Sequence, residues 1–254
     1  MFIKPLRKDF KDAFALVTVD ALRAGISFFS TLNAGGNFDS LRGNLYIIPV
    51  TGAVIGIFIA VPAVLLAVIN AGFLVILIYL AVEGINHVDG LSDFFDAVFA
   101  PPARKLEALK DINSGTGGNV AITIYIIMLT VFFSKVGVYE IFFTILVSQI
   151  LAKQAMLQLM LSLNPLWDGM ASEFTKYRKN RDYYSYIFTL SVLGLTGFQY
   201  PYQVIGSAMV YLLITFGFIR YIRKRFGGIN GDMIGALNCM VFAAVIGVWA
   251  CLQL

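Results

Sequence analysis

Carboxylates cluster at the end of an apolar stretch in the first half of the chain. Glu83 is followed by Asp89, Asp93 and Asp96, and the only histidine, His87, lies among them. On a helix, aspartates at positions i, i+4 and i+7 share one face. Like charges on one face repel unless a cation lies between them, and carboxylate oxygens at this spacing suit Mg²⁺ or Mn²⁺ bridging phosphate oxygens. The segment predicts metal-assisted phosphate chemistry, with a solvated acidic face as the alternative.

Two glycine-rich segments could complete such a site. Residues 110–118 read Lys-Asp-Ile-Asn-Ser-Gly-Thr-Gly-Gly directly before an apolar stretch. Glycines let backbone N–H groups approach an anion, and a following helix N-terminus favours negative charge; an ordinary loop would explain the glycines almost as well. Residues 227–236 open the final apolar stretch and contain Asp232. This carboxylate would serve either as a helix cap or as a further metal ligand from across the bundle.

Two basic side chains have open roles. On a continuous helix His87 would point away from Asp89, so it either packs or, if the helix begins near Asp89, turns inward as a proton acceptor. Lys153 lies deep within an apolar stretch. A buried ammonium needs a carboxylate or phosphate partner, unless the side chain reaches the membrane interface.

The composition indicates which elements hold these residues. Hydrophobic residues make up 59 % and charged residues 13 % of the 254 residues, and the mean hydropathy is +0.80. Soluble domains carry about 25 % charged residues, so lipid must be the main solvent of this chain. We therefore predict an all-α fold, a polytopic transmembrane helical bundle forming one membrane domain over residues 1–254. The net charge of +4 fits basic membrane loops rather than a nucleic-acid surface.

A membrane span needs about 20 mostly apolar residues. We predict seven spans, at about residues 45–66, 71–86, 119–135, 138–162, 184–200, 203–221 and 233–253. Gly52 and Gly56 in the first span predict close helix packing. Residues 1–40 are predicted to form an interfacial amphipathic helix and a loop, because apolar residues from Phe10 to Phe28 recur on one stripe. The bundle itself would then comprise residues 45–254.

Basic residues predict the orientation. Residues 4–11, 104–110, 176–181 and 220–225 fall on one side of the seven-span arrangement, and the other side keeps only Lys135. Because Lys and Arg collect on the cytoplasmic side, we expect a multi-pass inner-membrane protein with a cytoplasmic N-terminus. This places the acidic and glycine-rich segments at the cytoplasmic face.

Together these segments resemble the cobalamin synthase family, the adenosylcobinamide-GDP ribazoletransferases. The family block His-Leu-Asp-Gly-Leu-Ala-Asp-x-x-Asp-Gly is matched by residues 87–97, which read His-Val-Asp-Gly-Leu-Ser-Asp-Phe-Phe-Asp-Ala. Its Asp-x-x-x-Gly-Thr-x-Gly and Gly-Gly-x-x-Gly-Asp-x-x-Gly-Ala stretches are matched by residues 111–118 and 227–236. The chain departs at Ala97, where the family has glycine, and at Lys153, near which the family often has arginine.

The resemblance implies the last assembly step of vitamin B12, in which a ribazole hydroxyl attacks the β-phosphorus of adenosylcobinamide-GDP and GMP leaves. A Mg²⁺ or Mn²⁺ cofactor is expected on Asp89, Asp93, Asp96 and Asp232. His87 or Asp96 would take the proton. Residues expected to bind substrate are Glu83, Lys110, Ser114, Gly115, Gly117 and Lys153. The expected partners are adenosylcobinamide-GDP, α-ribazole or its 5′-phosphate, and the lipid bilayer, without nucleic acid; homo-oligomerisation is left open.

Two other protein classes stay open. The spacing Asn86-x-x-Asp89-x-x-x-Asp93 also resembles the aspartate-rich motif of membrane prenyltransferases, which are Mg²⁺-dependent like other phosphotransferases. Those enzymes carry a second aspartate cluster, whereas Asp232 stands alone here. A transporter would use buried ionisable residues as ion sites and usually shows internal symmetry, and this chain shows no repeat. The clustering of acidic and glycine-rich segments favours an enzyme.

Overall fold

The computed structural model describes residues 6–111 and 113–253, with side chains from residue 18 onward. α-Helices make up most of this part of the chain. In order they are α1 (Leu6–Phe29), α2 (Phe38–Arg42), α3 (Ile48–Val68), α4 (Val75–Glu83), α5 (Asn86–Phe99), α6 (Lys105–Ala108), α7 (Thr116–Lys135), α8 (Ile141–Ser162), α9 (Met170–Thr175), α10 (Ser185–Gly197), α11 (Pro201–Arg225) and α12 (Gly231–Cys251). Short 3-10 turns precede α3, α4, α6 and α10.

Within the described residues, five helices are long and apolar enough to cross a membrane. They are α7, α8, α11, α12 and the segment Leu45–Val68, which contains α3. The central 18-residue windows of α8 and α12 are 83 % and 78 % buried, whereas that of α7 is only 22 % buried. α8 and α12 therefore form the interior of the bundle, and α7 turns most of its surface to lipid. The predicted all-α transmembrane bundle is confirmed.

The predicted span at residues 71–86 is wrong as a straight helix. α4 ends at Glu83, and the chain bends by 95° into α5, giving a broken span or a re-entrant loop. Gly84 makes the bend with φ +81° and ψ 177°, a conformation that residues with a Cβ rarely adopt. Counting this pair as one span raises the number in the described chain to six, not the predicted seven.

The predicted span at residues 184–200 is shorter than expected. α10 has 13 residues, because the chain turns before Pro201, the first residue of α11. α10 still joins the two ends of the bundle. Tyr200, after α10, donates to the carbonyl of Tyr139 in the α7–α8 turn at 3.1 Å. Arg178, before α10, donates to the carbonyl of Leu163 beyond α8 at 3.0 Å.

The N-terminal helix predicted within residues 1–40 is present as α1, which is not among the helices apolar enough to span. Of its apolar stripe, Phe10, Phe14 and Val17 lie outside the described side chains. Ala21 and Ala24 are buried against the bundle, since this end of α1 packs on α2 and α3. Its interfacial position stays a prediction.

α3 and α8 pack closely through the predicted glycine pair. A Cβ on Gly52 would lie 2.7 Å from the carbonyl oxygen of Gln149 and 2.8 Å from Cγ of Lys153, and one on Gly56 would lie 3.2 Å from Cβ of Gln149. The close packing predicted from these glycines is confirmed. This packing places the buried middle of α8 against α3 and fixes the position of Lys153 along the bundle axis.

Candidate active site

The beginnings of α5 and α12 cross at two glycines. A Cβ on Gly90 would lie 2.9 Å from the carbonyl oxygen and 3.0 Å from Cα of Asp232, and one on Gly235 would lie 3.2 Å from Cα of His87. Because the close neighbours are backbone atoms, a larger residue would force the helices apart. The crossing brings the first and last sequence motifs together and places Asp232 opposite the aspartates of α5.

Asp232 is not the cap of α12. Asn230 takes that position, since its side chain accepts the N–H of Met233 at 3.1 Å. Nδ2 of Asn230 also donates to Oδ2 of Asp232 at 2.6 Å, which holds the carboxylate in place in the first turn. The capping role considered for Asp232 is therefore wrong, because the preceding asparagine satisfies the helix end.

The aspartates of α5 differ in their exposure and in the charged groups near them. Asp89 is exposed, whereas Asp93 and Asp96 are half-buried. Asp93 is close enough to Asp89, Asp96 and Asp232 for all three to act on it by charge repulsion. The four predicted metal-ligating carboxylates thus share one acidic region at the crossing of α5 and α12.

The donor set of this region suits a hard cation, but it does not form a closed cage. Among the described residues, no three acidic, histidine or cysteine side chains come together closely enough to hold one ion. Mg²⁺ in phosphate-processing sites is commonly held by one or two carboxylates, with substrate phosphate oxygens and water supplying the rest. The residues present therefore fit a cation whose coordination the substrate completes.

Asp96 is bound to the glycine-rich loop. Its Oδ2 accepts the N–H of Gly115 at 2.7 Å and its Oδ1 accepts the N–H of Gly118 at 2.8 Å, at the start of α7. A helix N-terminus attracts any anion within reach, and here the protein supplies its own carboxylate. The metal-binding and proton-accepting roles of Asp96 stay predictions, beside this observed role in anchoring α7.

The loop glycines also allow α7 to approach α5. A Cβ on Gly118 would collide with Oγ of Ser92 and lie 2.7 Å from its carbonyl oxygen, and one on Gly117 would lie 3.1 Å from the carbonyl oxygen of Phe95. Lys110 and Ser114 are exposed, and Nζ of Lys110 lies 4.8 Å above the ring of Trp167. Substrate binding by Lys110, Ser114, Gly115 and Gly117 stays a prediction.

Lys153 is paired inside the bundle and does not reach the membrane interface. It forms an ion pair with Oε1 of Glu83, and both side chains are fully buried. Asn238 accepts from Lys153 at 2.9 Å and donates to Glu83 at 3.0 Å, while Gln149 donates to the other Glu83 oxygen at 3.1 Å. These contacts join α4, α8 and α12. Substrate binding by Glu83 and Lys153 stays a prediction, and each already has a charged partner.

His87 lies against this network. α5 begins at Asn86, so the alternative in which the helix begins near Asp89 is wrong; the bend at Gly84 starts the helix earlier. The side chain of His87 is buried, since the residue is only 8 % exposed. Its Nδ1 lies 3.2 Å from Oε1 of Glu83, but within the described residues this nitrogen has no partner in hydrogen-bond geometry. The ring lies nearly parallel to that of Phe29, with centroids 6.4 Å apart. Its proton-accepting role stays a prediction.

The model of the family described as cobalamin-5-phosphate synthase matches residues 21–250. The chain belongs to this family.

Two relatives of the chain bear the name adenosylcobinamide-GDP ribazoletransferase. An adenosylcobinamide-GDP ribazoletransferase of Archaeoglobus fulgidus is 39 % identical over 227 residues, which is 89 % of this chain and 95 % of the relative. A protein of the same name from Methanocella arvoryzae is 30 % identical over 91 % of this chain and 95 % of its own length. No solved structure matches the chain. As a member of the family, the protein is a transferase of cobalamin biosynthesis.

The family match runs from the second half of α1 to the last residues of α12 and so includes every residue of the candidate site. It favours neither the prenyltransferase nor the transporter considered above. Asn230, which orients Asp232, belongs to the candidate site although the sequence motif gives it no role; an asparagine directly before a helix is a common cap, and this is the available signal. Gln149 and Asn238 lie in apolar helices, where their polarity is the sequence signal of a buried network.

Proposed function

We propose that the protein joins adenosylcobinamide-GDP to α-ribazole or its 5′-phosphate, with Mg²⁺ as cofactor, and releases GMP. The ribazole hydroxyl oxygen forms a bond to the β-phosphorus, the bond from that phosphorus to the oxygen of GMP breaks, and the hydroxyl proton passes to a base. The observation that carries the proposal is the crossing of α5 and α12 at Gly90 and Gly235, which sets Asp232 opposite Asp93.

In this proposal the acidic side chains have separate roles. Asp93 and Asp232 would hold Mg²⁺ together with substrate oxygens, and metal binding by Asp89 stays a prediction; bound Mg²⁺ would supply neutralisation of phosphoryl charge as GMP departs. Asn230 orients Asp232 through its 2.6 Å hydrogen bond. Asp96 anchors α7 through the N–H groups of Gly115 and Gly118, so the loop and the acidic region keep a fixed spacing.

The basic segments support a site on the cytoplasmic side of the inner membrane. Residues 104–110 follow α5, and residues 220–225 lead into the turn before α12. Nζ of Lys105 lies 5.6 Å from the ring centroid of Phe226 in that turn, so both segments lie near the beginning of α12. Lys and Arg are enriched in cytoplasmic loops. Substrates and GMP would then enter and leave on the cytoplasmic side.

The direct test is release of GMP by the protein purified in detergent. We expect release only when adenosylcobinamide-GDP, α-ribazole and Mg²⁺ are all present. A prenyl diphosphate with an aromatic acceptor serves as the control for the rival class. Diphosphate release in that control, or no GMP in the complete mixture, would overturn the proposed reaction.

The metal assignment is tested by Asp93→Asn and Asp232→Asn. Each keeps the size of the side chain and removes a charged ligand, so we expect a rate loss of more than about tenfold, equivalent to about 1.4 kcal/mol. Asp168→Asn is the matched control, because Asp168 is an exposed carboxylate paired with Lys176 outside the acidic region. Turnover in excess chelator, or a normal rate for Asp93→Asn, would contradict metal binding here.

A further inference from the structure

A cavity of about 410 Å³ opens beside the acidic region. It lies between the end of α1, the bend from α4 to α5, the last turns of α8, α9 and the beginning of α12. Asp232 and His87 line one side of it, so the cavity adjoins the groups proposed to act on phosphate. Its volume lies within the range of about 300–1,000 Å³ typical of small-molecule sites. None of the roles assigned above accounts for it.

One wall of the cavity is built from nearly parallel rings. Phe29 lies between Phe174 and His87, with ring centroids 6.2 and 6.4 Å apart and interplanar angles of 19° and 15°. Phe28 meets Phe174 edge to face at 5.2 Å. Phe29 and Phe174 are each 2 % exposed, so they pack mainly on their neighbours and give the cavity an apolar edge, which favours an aromatic ligand.

Three methionines contribute most of the remaining apolar lining. Met156 and Met160 belong to α8 and are buried, whereas Met170 begins α9 and is 48 % exposed. Methionine side chains are flexible and polarisable, and their sulfur atoms make favourable contacts with aromatic rings. The cavity therefore combines a rigid aromatic wall with adaptable neighbours.

The charges around the cavity offer a phosphate no partner away from Asp232. The described lining residues include the carboxylates Glu83 and Asp232 but no lysine or arginine. The ammonium of Lys153 lies behind this surface and is paired with Glu83. A phosphate placed away from Asp232 would find no unpaired cation on the described lining, whereas an uncharged heterocycle would meet rings and sulfur.

We propose that this cavity binds the heterocyclic base of the nucleoside acceptor, an inference that rests on the proposed function. Of the two molecules to be joined, one carries a diphosphate and the other is a nucleoside with an apolar aromatic base. With its base against the lining of phenylalanines and methionines, the nucleoside has its ribose at the Asp232 side of the cavity. Its hydroxyl then faces the region where the activated phosphate is held.

The test variant is Met170→Trp, which fills the open side of the cavity from an exposed position. We expect the KM for α-ribazole to rise at least tenfold, while the KM for adenosylcobinamide-GDP changes by less than twofold. Met209→Trp is the matched control, because Met209 is 57 % exposed on α11 and does not line this cavity. A rise in the KM for adenosylcobinamide-GDP instead would assign the cavity to guanine and overturn the inference.

Cross-linking to the wild-type protein tests the site without relying on a variant. A photoreactive azido derivative of α-ribazole should label peptides containing Met156, Met160 or Phe174, and unmodified α-ribazole should suppress that labelling. Suppressible labelling confined to other helices would overturn the inference. The two proposals fail separately: missing GMP release contradicts the reaction, whereas normal GMP release with an unaffected Met170→Trp contradicts only the assignment of the cavity.

Discussion

Replacing Lys153 by methionine should destabilise the protein strongly. The substitution keeps most of the side-chain length and removes the ammonium, leaving the fully buried carboxylate of Glu83 with the neutral donors of Asn238 and Gln149. Removing one member of a buried ion pair costs about 3–5 kcal/mol, because the other charge stays buried without compensation. Glu83→Gln leaves the ammonium in the same position and should cost a similar amount.

The double variant Glu83→Gln, Lys153→Met should recover much of this loss. It contains no buried charge, and replacement of a whole buried pair by neutral groups is often close to neutral for stability. We expect it to be at least about 2 kcal/mol more stable than either single variant, a coupling that only interacting side chains show. The exposed pair Arg104–Glu107, separated by 3.2 Å, provides the control, because surface pairs contribute about 1 kcal/mol or less.

The free energy of unfolding can be measured for each variant by circular dichroism in mixed micelles with increasing denaturing detergent. KM for adenosylcobinamide-GDP is measured on the same preparations. A Lys153→Met variant as stable as the wild type, with a raised KM for this substrate, would refute the structural account. That result would instead support the binding of substrate phosphate by Lys153.

Three further outcomes can be measured. Gly118→Ala should lower the free energy of unfolding by about 1–3 kcal/mol through overpacking, while Gly194→Ala, with open space around its Cβ, should be neutral or stabilising; equal effects would contradict the close approach of α7 to α5. If His87 takes the proton, His87→Gln should remove the rise in rate with pH that deprotonation of the imidazole produces, and an unchanged profile would assign His87 to packing. Lys224→Cys should be labelled by an impermeant thiol reagent only from the cytoplasmic side and Lys135→Cys only from outside; the reverse pattern would invert the orientation.

The acidic site could be predicted from sequence because its signals are local. Asp89, Asp93 and Asp96 follow a helical spacing that can be seen without a structure. The glycines at positions 90 and 235 lie inside the same motifs as the acids, and small residues mark places where helices approach closely. The composition alone indicates that the bundle lies in a membrane, because a water-soluble protein needs more charged residues on its surface.

The partners of the buried groups could not be predicted in the same way. Glu83 pairs with Lys153 and Asn238, which are 70 and 155 positions further along the chain, and nothing in the local pattern of one helix identifies a partner on another. Hydropathy likewise treats residues 71–86 as one apolar run. The bend at Gly84 depends on a backbone conformation that average apolarity does not report.

The acidic region is stabilised unevenly, and this suggests where a cation matters most. Asp89 and Asp232 lie in the first turns of α5 and α12, and Asp96 accepts two N–H groups at the start of α7. A helix N-terminus stabilises a carboxylate by about 0.3–1 kcal/mol, so these three have some compensation from the protein itself. Asp93 lies in the interior of α5 and faces all three of the others. In the described part of the chain, the other three carboxylates repel Asp93 and no hydrogen-bond donor compensates its charge. Asp93 therefore gains most from a bound divalent cation, and we expect the metal ion to lie nearest to it.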